Sequence, residues 1–192
     1  ALLRALIKFV RLWPDGGQIL GQLYDRAATM TVRLAALAGL CQIDGETARR
    51  RLDDFYQSWH KNDLVIDHWF RLQSTNPGLA AIGRLEELMH DPCYSPTKPN
   101  KVRALLGGFA MANPIAFHKS DGSGYRFMKQ RLLELDQLNP QISARLAGCF
   151  SLWLRLDQSR ARRIEKTIRQ MLDQQQLSQN LSEILTRMIE KP

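Results

Sequence analysis

An apolar repeat with a spacing of three and four residues continues through almost all of the 192 residues and constrains the fold more than any other feature. In "MTVRLAALAGLCQI" the apolar residues fall close to one helical stripe that includes Leu34, Leu37 and Cys41. The clean alternation that is typical of β-strands is absent. The sequence therefore predicts an all-α chain of about ten modest helices joined by short loops.

Proline and glycine mark where these helices end. The clearest interruptions are "WPDGG", "STNPG", "CYSPTKPN" and "LNPQ". Three of the prolines follow an asparagine, in the pairs Asn76-Pro77, Asn113-Pro114 and Asn139-Pro140. Because the residue before proline is pushed out of the α region and proline fits the first helical turn, each pair predicts a new helix start.

The interruptions lie roughly 15 to 25 residues apart, a spacing that fits antiparallel helix pairs. Stacked pairs would form a superhelical solenoid of the HEAT or armadillo kind. A compact helical bundle is the alternative, since no exact internal repeat is visible. We expect one α-helical domain over residues 1–192. The chain begins with Ala1 inside a helical pattern, and we therefore expect a fragment of a longer multidomain chain.

The chain is basic, with a net charge of +8 and an isoelectric point near 9.8, which raises the question of nucleic-acid binding. Acidic residues interleave with the basic ones, and no aromatic residue stands among the arginines of the two densest basic patches to stack bases. These patches, residues 49–51 and 160–169, are interpreted as solvated helix faces. No run of about 18 apolar residues occurs either. The sequence predicts neither a nucleic-acid partner nor a membrane partner.

Candidate catalytic and metal-binding residues are scattered. The four histidines, at 60, 68, 90 and 118, form no HExxH pattern, and Cys41, Cys93 and Cys149 form no CxxC pair. The cysteine pattern argues against a disulfide framework and for a reducing compartment. We therefore predict no catalytic residue, metal site or cofactor in this chain.

The stretch "NPIAFHKSDGSGY", residues 113–125, is the most unusual loop in the sequence. It lacks the phosphate-loop pattern, and no strand precedes it as a nucleophile elbow requires. We interpret it as a turn in which Asp121 or Ser123 caps the next helix by accepting its free N–H groups. Gly122 and Gly124 are expected to supply unusual backbone angles.

The same stretch also carries a family resemblance. Pro99-Asn100, the basic pair Lys101 and Arg103, the stretch 113–125 and "NPQISAR" at 139–145 occur in the order found in one family. With "TVRLAALAGL" and "YQSWHKNDLVIDHWFRLQST" upstream, the chain from about residue 20 onward resembles the C-terminal helical domain of bacterial aminopeptidase N. These enzymes are zinc-dependent gluzincin aminopeptidases.

The resemblance implies a division of labour within a longer cytoplasmic enzyme. The zinc ion, its ligands, the general base and the site for the substrate's N-terminal amine would belong to a catalytic domain elsewhere in the same polypeptide. This chain would pack on that domain, enclose the active-site cavity and line the channel for peptide residues beyond the scissile bond. Its partners would be that catalytic domain and peptide substrates, and a helical-repeat interaction scaffold is the alternative function.

The resemblance also implies the candidate site residues. Arg103, Gln141 and Arg145 match family positions whose side chains point into the cavity, where they could bind a peptide's carbonyl groups or carboxylate. The alternative for each arginine is an ion pair at the surface or between domains. Lys101 stands where arginine is common, which keeps the charge but loses the planar guanidinium.

Overall fold

Helices and turns account for the residues that the computed structural model describes, which are residues 2–43, 45–78 and 82–190, and none of these lies in a β-strand. The predicted all-α class is confirmed. The chain divides into two units, residues 1–80 and residues 81–192. One helical domain over residues 1–192 stays a prediction.

The first unit is a set of helices in which neighbours along the chain pack together. In order they are α1 (Leu2–Val10), α2 (Gly16–Asp25), α3 (Met30–Leu40), α4 (Gly45–Trp59) and α5 (Asp63–Thr75). Helix α3 contacts α1, α2 and α4, and α4 contacts α5. Leu20, Leu37 and Phe55 are fully buried at these contacts.

Side-chain caps fix where two helices of the first unit begin. The Thr29 hydroxyl accepts the backbone N–H of Val32 at the start of α3. The Asn62 side chain accepts the N–H groups of Leu64 and Val65 at the start of α5. These oxygens satisfy donors that have no partner within the helix. The predicted turn between α1 and α2 includes Trp13, Pro14 and Asp15, and the two glycines of "WPDGG" already belong to α2.

The second unit contains longer helices joined by shorter helical pieces. They are α6 (Ile82–Met89), α7 (Pro99–Val102), a π-helical turn (Arg103–Gly107), α8 (Gly108–Ala112), α9 (Pro114–Phe117), α10 (Ser123–Leu138), α11 (Pro140–Ala147), two 3₁₀ turns (Gly148–Phe150 and Trp153–Arg155), α12 (Gln158–Leu172) and α13 (Gln179–Glu190). Helix α11 packs against α10 and α13, and α12 packs against the same two helices.

Buried polar groups link these helices. The carboxylate of Asp136 in α10 accepts the backbone N–H of Ser178 at 2.7 Å and its hydroxyl at 2.5 Å. The Ser178 hydroxyl oxygen in turn accepts the N–H of Leu181 at the start of α13. In α11 the buried hydroxyl of Ser143 donates to the carbonyl of Leu132 at 2.7 Å. These hydrogen bonds fix α11 and α13 relative to α10.

Two of the three Asn-Pro pairs open helices as predicted. Asn113 caps α9 and Asn139 caps α11, and in both cases proline takes a position in the first helical turn. The prediction is wrong for Asn76-Pro77. There the Asn76 side chain accepts the N–H of Gly78 at 2.9 Å and donates to the carbonyl of Cys41, so it closes a turn after α5.

Candidate functional site

Arg103 lies at the first position of the π-helical turn that continues α7. The four residues that follow it in the turn are buried, whereas Arg103 itself is exposed. Its guanidinium donates to the side-chain oxygen of Asn100. π-Helical turns are rare and often occur at functional sites. Arg103 is therefore held at the surface by a short and unusual element.

Gln141 and Arg145 share the exposed face of α11. They stand four residues apart, and the helix between them is opened by Asn139 and Pro140. Ser143 and Leu146 are buried on the opposite face, while Gln141 and Arg145 are exposed. Residues four apart on a helix are neighbours, so the amide and the guanidinium form one polar surface.

The π-helical turn and α11 are in contact. A Cβ placed on Gly107 of the turn would lie 3.4 Å from a methyl group of Leu146 in α11. Within the described part of the chain neither Arg103 nor Arg145 forms an ion pair with a carboxylate. The two elements that carry the predicted site residues therefore pack together, and both arginine side chains stay available to a partner of opposite charge.

Lys101 differs sharply from Arg103, its partner in the basic pair. Its side chain is among the largest that are fully buried, with 1% of the residue exposed. Buried lysine is uncommon because removing its charge from water is costly. The sequence pattern identified the two as a basic pair, and the structure places Lys101 inside the unit and Arg103 at its surface.

The stretch 113–125 forms a packed corner between α9 and α10. The buried Asn113 side chain accepts the N–H of Ala116, which closes the first turn of α9. Phe117 is fully buried, and its ring meets Phe109 at a centroid distance of 5.8 Å and Tyr125 at 5.3 Å, both edge to face. Such edge-to-face pairs stabilise beyond the area that they bury.

His118 belongs to this corner through two contacts. Its Nδ1 lies 2.9 Å from the hydroxyl oxygen of Tyr125 in α10. Its backbone carbonyl accepts a hydrogen bond from Nε of Arg160 in α12 at 2.7 Å. Burial, and secondarily the charge of Arg160, lowers the pKa of His118 below its usual 6.5. A neutral imidazole suits the contact with Tyr125, because its Nδ1 can accept a hydrogen bond from the Tyr125 hydroxyl.

The two glycines of the corner have different roles. Gly122 has a φ of +68°, the left-handed conformation that the sequence predicted. Gly124 shows no such angle, so the prediction is wrong there. A Cβ at Gly124 would lie 2.3 Å from the carbonyl oxygen of Phe117, and only glycine lets the two backbones approach this closely. The predicted role of Asp121 is confirmed, since its carboxylate accepts the N–H of Ser123 at 2.9 Å.

No cluster of metal ligands is formed by the described residues. Nowhere among them do three His, Cys, Asp or Glu side chains come together in a way that could hold a metal ion. Cys41, Cys93 and Cys149, all within the part of the chain that the structure describes, are partly buried and form no disulfide. Burial raises the pKa of the Cys41 thiol to about 12 and raises that of Cys149 as well, which suppresses the reactive thiolate.

The basic patch of α12 faces solvent, as predicted. Arg162, Arg163 and Lys166 are exposed, and Arg169 pairs with Glu165 at 2.8 Å within the same helix. Arg160 is the exception, because it reaches the carbonyl of His118.

In the described residues no helix combines the length and apolar character that crossing a bilayer requires.

Comparison with known proteins places this geometry in a family. The family model described as "Domain of unknown function (DUF3458_C) ARM repeats" matches residues 2–190. The chain belongs to this ARM-repeat family. The predicted solenoid class is thereby confirmed, since armadillo repeats stack helices into superhelices. The match also extends the family resemblance upstream of residue 20.

The ARM-repeat chain is similar to aminopeptidase N from three bacteria. It is 33% identical to the Escherichia coli protein over 85% of this chain and 19% of that protein. It is 35% identical to the Haemophilus influenzae protein over 92% of this chain and 20% of that protein. It is 30% identical to the Caulobacter vibrioides protein over 85% of this chain and 19% of that protein. The chain thus spans about a fifth of the length of these relatives.

A solved structure shares the fold. The crystal structure of Legionella pneumophila aminopeptidase A in complex with aspartic acid superposes with a TM-score of 0.86 at 28% identity, over 93% of this chain and 21% of that one. The predicted resemblance to the C-terminal helical domain of aminopeptidase N is confirmed. The positions of Arg103, Gln141 and Arg145 in an enzyme cavity stay a prediction. Sequence analysis missed the π-helical turn at Arg103 and the burial of Lys101.

Proposed function

We propose that this ARM-repeat chain is the cavity-closing domain of a zinc-dependent aminopeptidase that removes N-terminal residues from peptides in the cytoplasm. The observation that supports it most directly is the superposition on an aminopeptidase structure over 93% of the chain at a TM-score of 0.86. The chain spans only about a fifth of its relatives, so catalysis is assigned to the remainder of the parent polypeptide.

The residues that the structure describes do not come together as the ligands of such an enzyme's zinc ion. Zinc in hydrolases takes three protein ligands from histidine and carboxylate side chains, and no such group comes together in the described residues. We therefore assign the zinc to the catalytic domain and give this chain a structural and substrate-binding role. The chain's partners in this proposal are that catalytic domain and peptide substrates.

Steric exclusion gives this role a physical rationale. An aminopeptidase must admit chain ends and exclude folded proteins, and a wall of stacked helices around the active site does so. The exposed Arg103, Gln141 and Arg145 would line this wall. Guanidinium groups bind carboxylates in a planar, two-pronged geometry, and an amide can donate to or accept from a peptide backbone.

Recombination tests the proposal. The 192-residue chain alone should hydrolyse no aminoacyl amide, the remainder of the parent polypeptide should have reduced activity, and mixing the two should restore it. A parent polypeptide without peptidase activity would overturn the proposal, as would hydrolysis by the purified 192-residue chain.

The effect of substrate length on KM tests the lining role of one site residue, Arg145. In the parent polypeptide, Arg145→Ala should raise the KM for peptides of several residues by about ten- to a hundredfold and leave an aminoacyl amide unaffected, since losing one charged hydrogen bond costs about 1.5–3 kcal/mol. Arg162→Ala on the solvent face of α12 is the matched control. Equal effects of Arg145→Ala on both substrates would contradict a lining role.

A helical-repeat scaffold is the second candidate function, because armadillo-like surfaces commonly bind extended partners. It predicts a dedicated protein partner that the catalytic domain does not displace. Affinity capture with the 192-residue chain, repeated with an excess of the remainder of the parent polypeptide, distinguishes the two functions.

A further inference from the structure

A groove of about 900 Å³ runs along the first unit between α1, α3 and α5. Its floor is formed by small and apolar side chains of α3 and α5, among them Leu34, Ala35, Ala38 and Leu72. We call it the α1–α3–α5 groove. It lies within residues 1–80 and shares no residue with the candidate site at Arg103, Gln141 and Arg145.

Helix α3 is apolar on two sides, and only one of them is covered. Ala36, Leu37 and Leu40 are buried against the unit's own helices. Leu34, Ala35 and Ala38 stand on the groove side and remain half-exposed. A helix that is apolar around most of its circumference is typically buried on all sides. The groove side of α3 therefore has the composition of an interface.

The rim of the groove is basic. Lys8 and Arg11 of α1 border it on one side, and His68 and Arg71 of α5 border it on the other. The described residues that line the groove include no aspartate or glutamate. Lys8, His68 and Arg71 are exposed. An apolar floor between two basic edges is complementary to a segment that has one apolar face and carboxylates beside it.

We propose that the α1–α3–α5 groove binds an acidic amphipathic segment from the part of the parent polypeptide that lies outside residues 1–192. The apolar face of that segment would cover Leu34, Ala35 and Ala38, and its carboxylates would meet Lys8 and Arg71. The inference rests on the proposed function in one respect, namely that a longer parent polypeptide exists.

Chain length and charge together favour this occupant. The relatives are about five times as long as this chain, so a large amount of polypeptide is tethered to it. A tethered segment has an effective concentration of about millimolar, and weak complementarity is then enough for stable docking. A second copy of this chain is a poorer match, because each copy carries a net charge of +8.

Zero-length cross-linking tests the proposal in the full parent polypeptide. A carbodiimide couples a lysine amine to a carboxylate in direct contact with it, and mass spectrometry of the digest identifies the pair. We expect Lys8 to couple to aspartate or glutamate residues outside residues 1–192. Lys8→Arg should abolish this product, which confirms its assignment, since arginine is not coupled.

Two variants connect the cross-link to the groove. Ala38→Gln places a larger polar side chain on the apolar floor, offers the carbodiimide no new carboxylate and should reduce the Lys8 product at least tenfold. Ala28→Gln, in the exposed turn before α3, is the matched control and should leave it unchanged. Arg71→Gln removes only the charge of an exposed rim residue, so it should reduce the product without loss of folding.

Three results of the cross-linking experiment would contradict docking in the groove. Coupling of Lys8 only to carboxylates within residues 1–192, coupling to a second molecule, or an unchanged yield in both Ala38→Gln and Arg71→Gln would overturn the proposal. Hydrolysis of an aminoacyl amide is measured on the same samples. Activity without the cross-link rejects the groove proposal alone, whereas absence of activity rejects the proposed function.

Discussion

The two units differ in how their aromatic side chains are covered. In residues 81–192 Phe117 is 0% exposed, enclosed by Phe109, Tyr125 and Phe150. In residues 1–80 Phe9 is 66% exposed and Trp13 is 57% exposed, and the α1–α3–α5 groove adds further apolar surface. Exposed apolar surface can mark an interaction site. Both units have a closed core, since Phe55 and Phe70 are fully buried in the first, but among the described residues the large exposed aromatic rings, Phe9 and Trp13, both lie in the first unit.

The units nevertheless use one device in common. Gly16 begins α2 and Gly124 lies in the first turn of α10, and each sits against the preceding helix. A Cβ would lie 2.2 Å from the Val10 carbonyl oxygen at Gly16 and 2.3 Å from that of Phe117 at Gly124. Gly16 has no positive φ, so the close backbone contact, and not an unusual backbone angle, accounts for glycine at this position. Both glycines allow a sharp return of the chain on itself.

The largest expected effect on stability is a difference between removing the buried ring of Phe117 and removing the exposed ring of Phe9. Phe117→Ala should lower the free energy of unfolding by about 3–5 kcal/mol, because it removes a fully buried ring and leaves a cavity. Phe9→Ala in the 192-residue chain should change it by no more than about 0.5 kcal/mol. Urea denaturation followed by circular dichroism measures both. Similar losses in the two variants would contradict the different burial of the two rings.

The next effect tests the close approach at Gly124. Gly124→Ala should destabilise the second unit by about 1–3 kcal/mol, since the new methyl group meets backbone atoms that cannot move aside alone. Gly83→Ala in α6, with no atom within 4 Å of the added Cβ, should be neutral or stabilise by up to about 1 kcal/mol. Thermal unfolding of both variants is the measurement, and a neutral Gly124→Ala would refute the close contact.

Helix caps should contribute equally in the two units. Asn62→Ala and Asn139→Ala each remove a side-chain acceptor from a helix start and should each cost about 1 kcal/mol. Replacement by glycine should cost only a few tenths of a kcal/mol relative to asparagine. Chemical denaturation of the four variants checks this. A loss in only one of the two alanine variants would show that the helix in the other unit does not depend on its cap.

The smallest effect is a pH dependence specific to the second unit. The pKa of His118 is below 6.5 in the folded chain, so the unfolded chain takes up the proton first as the pH falls. His118 should therefore reduce stability progressively below pH 6.5, and His118→Gln should flatten that slope. Arg160→Gln should raise the pKa of His118 only in part, because burial is the larger cause. A histidine titration by NMR with a midpoint above 6.5 would contradict this.

Local signals in the sequence were sufficient for the helices and for several of their ends. Asn113 and Asn139 were recognisable as helix starts because capping and the effect of proline act within a few residues. Gly124, Lys101 and the π-helical turn at Arg103 were not predictable in this way. Their roles depend on which backbone or side chain lies opposite in space, and a linear pattern does not contain that information.

In the candidate site, too, the local features were predictable from the sequence and the contacts between distant elements were not. The helical face that carries Gln141 and Arg145 follows from their spacing of four, and the structure places both on the exposed side of α11. The contact between α11 and the π-helical turn follows only from the fold. The α1–α3–α5 groove likewise depends on three helices distant in sequence, and the single apolar stripe expected for α3 did not show that Leu34 and Ala38 would be left half-exposed.

The ratio of two reaction rates tests the central claim most directly. The rate of N-terminal hydrolysis is measured for the parent polypeptide and for a version that lacks residues 1–192. The two substrates are a folded protein and an unstructured peptide with the same N-terminal residue. An aminoacyl amide serves as the control for an intact catalytic centre. If this chain encloses the active-site cavity, its removal should raise the rate on the folded protein at least tenfold relative to the peptide. An unchanged ratio, with the amide still hydrolysed, would contradict the account.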